Sequence, residues 1–376
     1  LTRHGSDEFV VLLPDIGSKL DAQAIAEKVL QAFRAPFLIA DGEFTATISM
    51  GVALHPEDGN SAEDLIQHAS VAMHQVKGKG GNACGFFAPD MHANYRARTS
   101  LEKELRQALS RNELEVHYQP LISLSRNAIT GMEALVRWRH PVHGVVGPSR
   151  FIQMAEEAGI IHEITRWVLD TACAQLSSWR QHHPDLRLSA NLSSRDFDHA
   201  DLDDTVSRVL TRHGLPAQSL ELEITERLLL EDSDKVSLRM QSLRMLGIGI
   251  AIDDFGTGYS SLAYLQRCGV TRLKIDRSFV KDIKTTEDHP IVSAIAGIAR
   301  GFDIRLAAEG VERDDQMSAL KILGCDEMQG FLFSRPVNGA EGTRILEEFR
   351  LPDMPPGNGR DRLARPGPST TVTLQR

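Results

Sequence analysis

The sequence predicts an α/β protein: a TIM-like (β/α)8 barrel over residues 101–349, preceded by a smaller, partial α/β block over residues 1–90. Two observations predict the barrel. Between residues 114 and 349, eight short apolar runs alternate with amphipathic stretches of helical spacing, which is the order a (β/α)8 barrel needs. Polar and charged residues also recur at the C-terminal ends of these runs, where such barrels place their chemistry. A doubly wound open sheet is the structural alternative, but no GxGxxG follows an early strand.

The first block opens with Phe9-Val10-Val11-Leu12-Leu13, read as a buried strand and closed by Pro14 and Gly17. Ile25, Val29, Leu30 and Phe33 fall at helical spacing and predict an amphipathic helix over 20–33. Residues 37–39 and 45–53 read as a hairpin around Asp41-Gly42. Ser61, with Asp64 three residues on, is the expected N-cap of a helix running to about residue 76. A glycine-rich basic turn, Lys77 to Asn82, leads to an edge strand at Phe86-Phe87.

Residues 91–112 read as a linker entering a helix, with Leu101, Leu105, Ala108 and Leu109 on one side. Strands are then expected at 115–119, 131–137, 187–192, 220–225, 248–253, 272–275, 304–308 and 327–331, and helices at 149–158, 164–180, 233–246, 290–301 and 314–323. The tail, 352–376, is rich in Pro, Gly and Arg without apolar periodicity and reads as disordered.

The net charge of −9 works against binding a nucleic acid polymer or an anionic membrane, so any anionic ligand needs a local cluster of cations. The four cysteines, Cys84, Cys173, Cys268 and Cys325, have no metal-ligand spacing and read as reduced structural thiols. No run of 18 uncharged apolar residues occurs, nor a signal peptide, and the expected location is cytoplasmic. The first residue is Leu1, so the chain is expected to be a fragment, with room upstream for sensor or membrane segments.

The candidate site is assembled from strand ends. Ile248 to Leu262 (IGIAIDDFGTGYSSL) runs from an apolar strand into two adjacent carboxylates, Asp253 and Asp254, and then a loop of small residues with Gly256 and Gly258. The other strands contribute Glu133 and Arg137, Asn191, Glu223 and Glu226, Lys274 and Asp276, Glu309, and Gln329. Carboxylate and amide oxygens are hard ligands that suit Mg²⁺ or Mn²⁺, and the lack of a His or Cys cluster argues against zinc. Several carboxylates at one mouth repel one another unless divalent cations sit among them. Two cations bridged by a carboxylate are standard machinery for phosphodiester hydrolysis. Lys274 is placed to orient a water, accept its proton or stabilise charge on phosphorus, unless it only pairs with Asp276. Arg137 either meets a phosphate or pairs with Glu133, and Glu226 reads as loop support.

These motifs closely resemble an EAL domain, the cyclic di-GMP-specific phosphodiesterase family. The match runs through Glu133-Ala134-Leu135-Val136-Arg137-Trp138, Asn191-Leu192-Ser193, Glu223-Ile224-Thr225-Glu226, Asp253 to Ser261, Lys274-Ile275-Asp276, Ala308 to Glu312 and Gln329-Gly330. The resemblance implies that Glu133, Asn191, Glu223 and Asp253 bind a first metal and Asp254 a second, with Asp253 shared. It implies that Lys274 acts on the nucleophilic water and that Glu309 and Gln329 complete the metal and water network. It further implies that Glu226 steadies the loop after strand five, that Arg137 meets a substrate phosphate, and that the first barrel strand is antiparallel to the rest; Gln329 and Asp276 are expected, with Arg137, to bind substrate. The implied reaction opens cyclic di-GMP to linear pGpG with two Mg²⁺ or Mn²⁺ per site, in a homodimer paired through the EAL domain. A binding-only cyclic di-GMP receptor or scaffold is the alternative.

The first block resembles the C-terminal half of a GGDEF domain, the diguanylate cyclase fold, through Arg3 to Phe9, Ser49 to Ala53, Ala72-Met73, Lys77, Gly80 and Asn82. It departs at Ser6, where the family has glycine, and at Ser70, His74 and Gly81. The resemblance implies GTP or cyclic di-GMP as ligands of this block. A cyclase reaction is not expected of a half-domain with Ser6, and Asp7 and Glu8 read as a solvated turn rather than metal ligands.

Overall fold

A computed structural model of the chain describes residues 1–349 except 6, 40–41, 79, 231–232, 259–264, 266 and 284–288. The predicted tail, Ser6, and Tyr259, Ser260 and Ser261 of the loop after Asp254 therefore lie outside the described residues. The chain divides into two compact units, residues 1–112 with 153–158, and residues 113–152 with 159 onward.

In the first unit, β1 (Thr2–Arg3) pairs antiparallel with β2 (Phe9–Val10). The expected buried strand over 9–13 is not found: only two of its residues pair, and Phe9, Val11 and Leu12 are more than half exposed. A strand is buried only where other layers cover its faces, and among the described residues β2 is paired with β1 alone. The hairpin forms between β3 (Phe37–Ile39) and β4 (Gly42–Phe44), which is shorter than expected. The second predicted arm belongs instead to β5 (Met50–Val52), which pairs parallel with β6 (Cys84–Phe86).

Helix Lys19–Ala32 is capped by Ser18, whose Oγ accepts from the amide of Asp21. Helix Ala62–Gly78 is capped as predicted, with Ser61 Oγ 3.0 Å from the amide of Asp64. It packs on β5 at Gly51, where a Cβ would stand 1.9 Å from the carbonyl oxygen of Ala69. Gly51→Ala must therefore push the helix off the sheet and is expected to destabilise this unit by about 3 kcal/mol. The check is faster proteolysis within residues 1–90, with the barrel's melting unchanged. The linker forms a helix that starts earlier than expected, Pro89–Ala108, with Pro89 in its first turn.

The second unit is built on a closed eight-stranded barrel. Its strands are β7 (Leu114–Ser123), β8 (Ala128–His140), β10 (Arg187–Asn191), β11 (Leu220–Thr225), β12 (Gly249–Phe255), β13 (Arg272–Ile275), β14 (Arg305–Ala308) and β15 (Glu327–Met328). Strands β8 to β15 pair in parallel around the ring, whereas β7 is antiparallel to both neighbours, β15 and β8. The short β9 (Gly144–Val146) extends β8 as a hairpin outside the ring.

Helices Pro148–Glu157, Ile161–Arg180, Ser233–Met245, Pro290–Gly301 and Asp314–Leu323 fall where helical spacing placed them. Helices Ser194–Asp198, Leu202–His213 and Gly339–Glu348 were not foreseen. The second of these carries its signal in Leu202, Val206, Val209 and Leu210, all buried at helical spacing. The core lies between the barrel and these helices, with Trp138, Phe151, Ile164, Leu169 and Leu176 fully enclosed. Each buried aliphatic side chain of this kind contributes roughly 1.5–3 kcal/mol.

Candidate active site

Every strand-end residue singled out above lies at one mouth of the barrel. The register explains why. Glu133 pairs with Ser189, Asn191 with Glu223, and Thr225 with Asp253, so the inward residues of successive strands rise as a spiral of side chains. Lys274 on β13 is at its centre. Its Nζ is 2.5 Å from Glu223 Oε2, 2.5 Å from Glu309 Oε1, 3.4 Å from Asp253 Oδ1 and 3.8 Å from Glu133 Oε2. Glu223 is fully buried and Lys274 is 1% exposed.

Glu133 is held from two sides. Asn191 Nδ2 donates to its Oε1 at 2.7 Å and Gln329 Nε2 to its Oε2 at 2.5 Å. Gln329 also donates to Gln119 Oε1 at 2.9 Å, and Gln119 in turn donates to the carbonyl of Ser334. Gln119 was missed in the sequence because it lies on the antiparallel strand β7, where a strand's C-terminal end is not at the mouth. β7 also carries Glu115 and His117, so the amide of Gln119 did not stand out.

Burial and crowding set the protonation. Burial raises the Glu223 carboxyl well above its usual range, with Glu133 and Asp253 adding to it and Lys274 opposing. Burial, Asp253 and Glu133 push Glu309 up to about 8 against the pull of Lys274. Asp254 is pushed up to about 6 by burial, then Asp253 and Asp276. Burial alone would lower Lys274, but the carboxylates of Glu133, Glu223, Glu309 and Asp253 raise it well above its usual value, so it is an ammonium.

The loop after β12 is set by two left-handed residues. Asp254 has φ 54° and Gly256 φ 98°. Glu226 is the clamp: its buried Oε2 accepts from the amides of Gly256 at 2.7 Å and Gly258 at 3.4 Å. Asp276 does not pair with Lys274. Its Oδ1 accepts from the amide of Ser278, capping helix Arg277–Lys281, and its carboxyl faces Asp254. Arg137 is half-buried and donates from Nη1 to the carbonyl of Val136, within the field of Glu133.

The donors present fit divalent cations by their chemistry. They are all oxygens, they carry more negative charge than one ammonium offsets, and Glu223 Oε1 and Gln329 Oε1 are buried without a hydrogen-bond partner. Among the described residues, however, no three His, Cys, Asp or Glu side chains close into a ready cage, because Lys274 stands between the carboxylates.

A family model described as the EAL domain matches residues 102–336 of the chain. The chain belongs to the EAL family. Residues 1–83 match the model described as diguanylate cyclase, GGDEF domain. Among curated relatives of this EAL protein, the Pseudomonas aeruginosa bifunctional diguanylate cyclase/cyclic di-GMP phosphodiesterase MucR is 41% identical over 339 residues, covering 90% of this chain and 49% of that protein. The cyclic di-GMP phosphodiesterase NbdA of the same organism is 39% identical over 358 residues, 95% of this chain and 46% of that protein. The chain thus spans about half the length of the curated relatives it matches. The solved structure of PaMucR phosphodiesterase in complex with c-di-GMP is 43% identical with a TM-score of 0.62, covering 64% of this chain and 99% of that one. The expected barrel and the antiparallel first strand are both observed for the EAL domain. Among the described residues no helix is long and apolar enough to cross a membrane.

Proposed function

We propose that this chain hydrolyses cyclic di-GMP to linear pGpG with two divalent cations, Mg²⁺ or Mn²⁺, at the barrel mouth. The observation that carries this reading is the gathering of Glu133, Asn191, Glu223, Asp253, Asp254, Glu309 and Gln329 around one buried ammonium. The activities named for MucR and NbdA point the same way.

In this reading Glu133, Asn191, Glu223 and Asp253 hold the first cation, Asp254 holds the second, Asp253 is shared, and Glu309 completes the set. When bound, the cations supply positive charge to the phosphodiester and its oxygens. The chain's own residues do the rest. Arg137 offers a planar fork to a phosphate. Lys274, held as an ammonium by its carboxylates, keeps its proton and stabilises negative charge developing on phosphorus rather than acting as a base. The proton of the attacking water passes to a carboxylate at the mouth or to solvent. The water oxygen bonds to phosphorus, the bond from phosphorus to the 3′ oxygen breaks, and a proton is returned to that oxygen. Gln329 keeps Glu133 oriented, and Asp276 faces Asp254 across the mouth.

The test is conversion of cyclic di-GMP followed by chromatography. pGpG is expected with Mg²⁺ or Mn²⁺ and none after chelation. Folded chain that binds cyclic di-GMP with cations present but yields no pGpG would instead be the receptor.

The same reading includes a homodimer. Helix Pro290–Gly301 is apolar apart from Ser293 and Arg300, yet Ile291 is half exposed and an added Cβ at Gly297 would meet nothing within 4 Å. An uncovered apolar helix face supports pairing with a second copy. Light scattering of the chain is expected to give twice its mass, and Ile291→Glu to return it to one. For the first block, GTP or cyclic di-GMP remains the proposed ligand class, tested by titrating each into residues 1–112 held within the whole chain.

A further inference from the structure

Below the site, the barrel interior holds a second layer of charge. Glu221, Arg272 and Glu327 are 3%, 1% and 5% exposed. Each stands two residues before a site residue: Glu221 before Glu223 on β11, Arg272 before Lys274 on β13, and Glu327 before Gln329, which follows the end of β15. The two-residue period of a strand puts the first two pairs on the same inward face. Arg272 Nη1 is 3.1 Å from Glu221 Oε1, and its Nη2 is 2.8 Å from Glu327 Oε2. Glu327 is also paired with Arg187 and accepts from Thr130 Oγ1 at 2.6 Å, while Thr271 Oγ1 donates to Glu221 Oε2 at 3.4 Å. The guanidinium thus reaches from β13 to the alternate strands on either side, β11 and β15.

Stability does not account for this layer. Barrel interiors are ordinarily filled by branched aliphatic side chains. A buried ion pair is often no more stable than the apolar residues that could replace it. Here the contacts are also imperfect: Arg272 Nε and Nη2, Glu221 Oε1 and Glu327 Oε2 are buried without a well-directed hydrogen bond. What a planar fork does supply is a fixed geometry between its two partners. Lys274, by contrast, hangs on a flexible four-carbon stem, and its ammonium must stand within reach of four carboxylates at once.

We propose that Arg272 is a positioning residue for the site above it: its fork ties β11 and β15 to β13 across the bore and fixes where Lys274 stands relative to Glu223, Glu309 and Asp253. The role is tied to the hydrolase reading given above, but it acts on the cation site as well and is measurable there without turnover. Arg272 touches no substrate and acts only through the residues it holds.

The experiment compares the parent chain with Arg272→Lys and with the triple variant Arg272→Met/Glu221→Gln/Glu327→Gln. The triple variant leaves neither carboxylate partner of Arg272 ionised, but it also takes Glu327 from Arg187, so it is expected to fold yet melt below the parent. Mn²⁺ binding by electron paramagnetic resonance is the deciding measurement. Mn²⁺ affinity is expected to fall at least threefold in both variants, and kcat about tenfold with KM for cyclic di-GMP within twofold. A folded triple variant that binds Mn²⁺ within threefold of the parent overturns the proposal. Should the triple variant not fold, Arg272→Lys decides by the same threshold. Absence of turnover in the parent would count against the hydrolase reading, and the Mn²⁺ comparison would still decide the role of Arg272.

Discussion

Asp253→Asn or Glu133→Ala is expected to lower turnover of cyclic di-GMP by about a thousandfold or more while the barrel still folds. Asp253 adjoins both Lys274 and Asp254 at the mouth. It lies 3.4 Å from Lys274, accepts from the amide of Asp254 at 3.0 Å, and adds to the charge felt by Glu223, Asp254 and Glu309. The asparagine is nearly isosteric and still accepts from that amide, so the strand end keeps its shape. What is lost is one negative charge at the point proposed to serve both cations. Glu133→Ala acts differently, because it strips the acceptor from the amides of Asn191 and Gln329. Asn191 is exposed and Gln329 keeps its bond to Gln119, so this variant should remain folded and melt only slightly lower. Chromatographic rates with circular dichroism melts check both; parent-like rates in either folded variant would refute the site assignment.

Gly256→Val is expected to cut turnover about a hundredfold, and to weaken cation dependence more than nucleotide binding. Its φ of 98° is open to glycine and strained for a β-branched residue. An added Cβ would also stand 3.0 Å from Ile295 Cδ1 and 3.1 Å from Phe279 Cε2. Relief requires the loop to move, and the loop is tied to the site at two points: Asp254 precedes it and Glu226 grips its amides. Asp254, the proposed ligand of the second cation, therefore shifts before Arg137 does. Glu226→Ala should reproduce the pattern without any clash. Titration of Mn²⁺ and of cyclic di-GMP in Ca²⁺ separates the two affinities; equal losses in both would count against the loop as a switch on the second cation.

The barrel and its mouth were legible because both rest on local patterns. Strand runs ended in carboxylates and amides, and the two-residue period aimed Glu221 and Glu223 together, as it did Glu133 and Arg137. What stayed hidden depended on topology. Gln119 is at no C-terminal strand end, because β7 runs opposite to its neighbours and continues to Ser123. The partnership of Arg272 with Glu221 and Glu327 joins residues 51 and 55 positions away on alternate strands, which no local window contains. The strand over 9–13 failed for the opposite reason: its composition was that of a buried element, but burial depends on what covers it. Asp276 was read through its neighbour Lys274 in sequence, whereas the turn after β13 points it at Ser278 and Asp254.

The reversed direction of β7 also decides where anything attached ahead of the barrel takes hold. In a barrel of eight like-directed strands the first strand would begin at the closed end, far from the chemistry. Here β7 begins at Leu114, beside Trp138 near the end of β8, and runs downward from the rim. The entry is anchored there: Glu113 accepts from Trp138 Nε1 at 3.0 Å and from the amide of Arg139 at 2.7 Å. A force carried along the polypeptide into the barrel is thus delivered to the rim that bears Glu133, not to the floor. The tether and Glu133, a proposed cation ligand, share one strand pair, so tension on the first is felt within a few peptide bonds of the second.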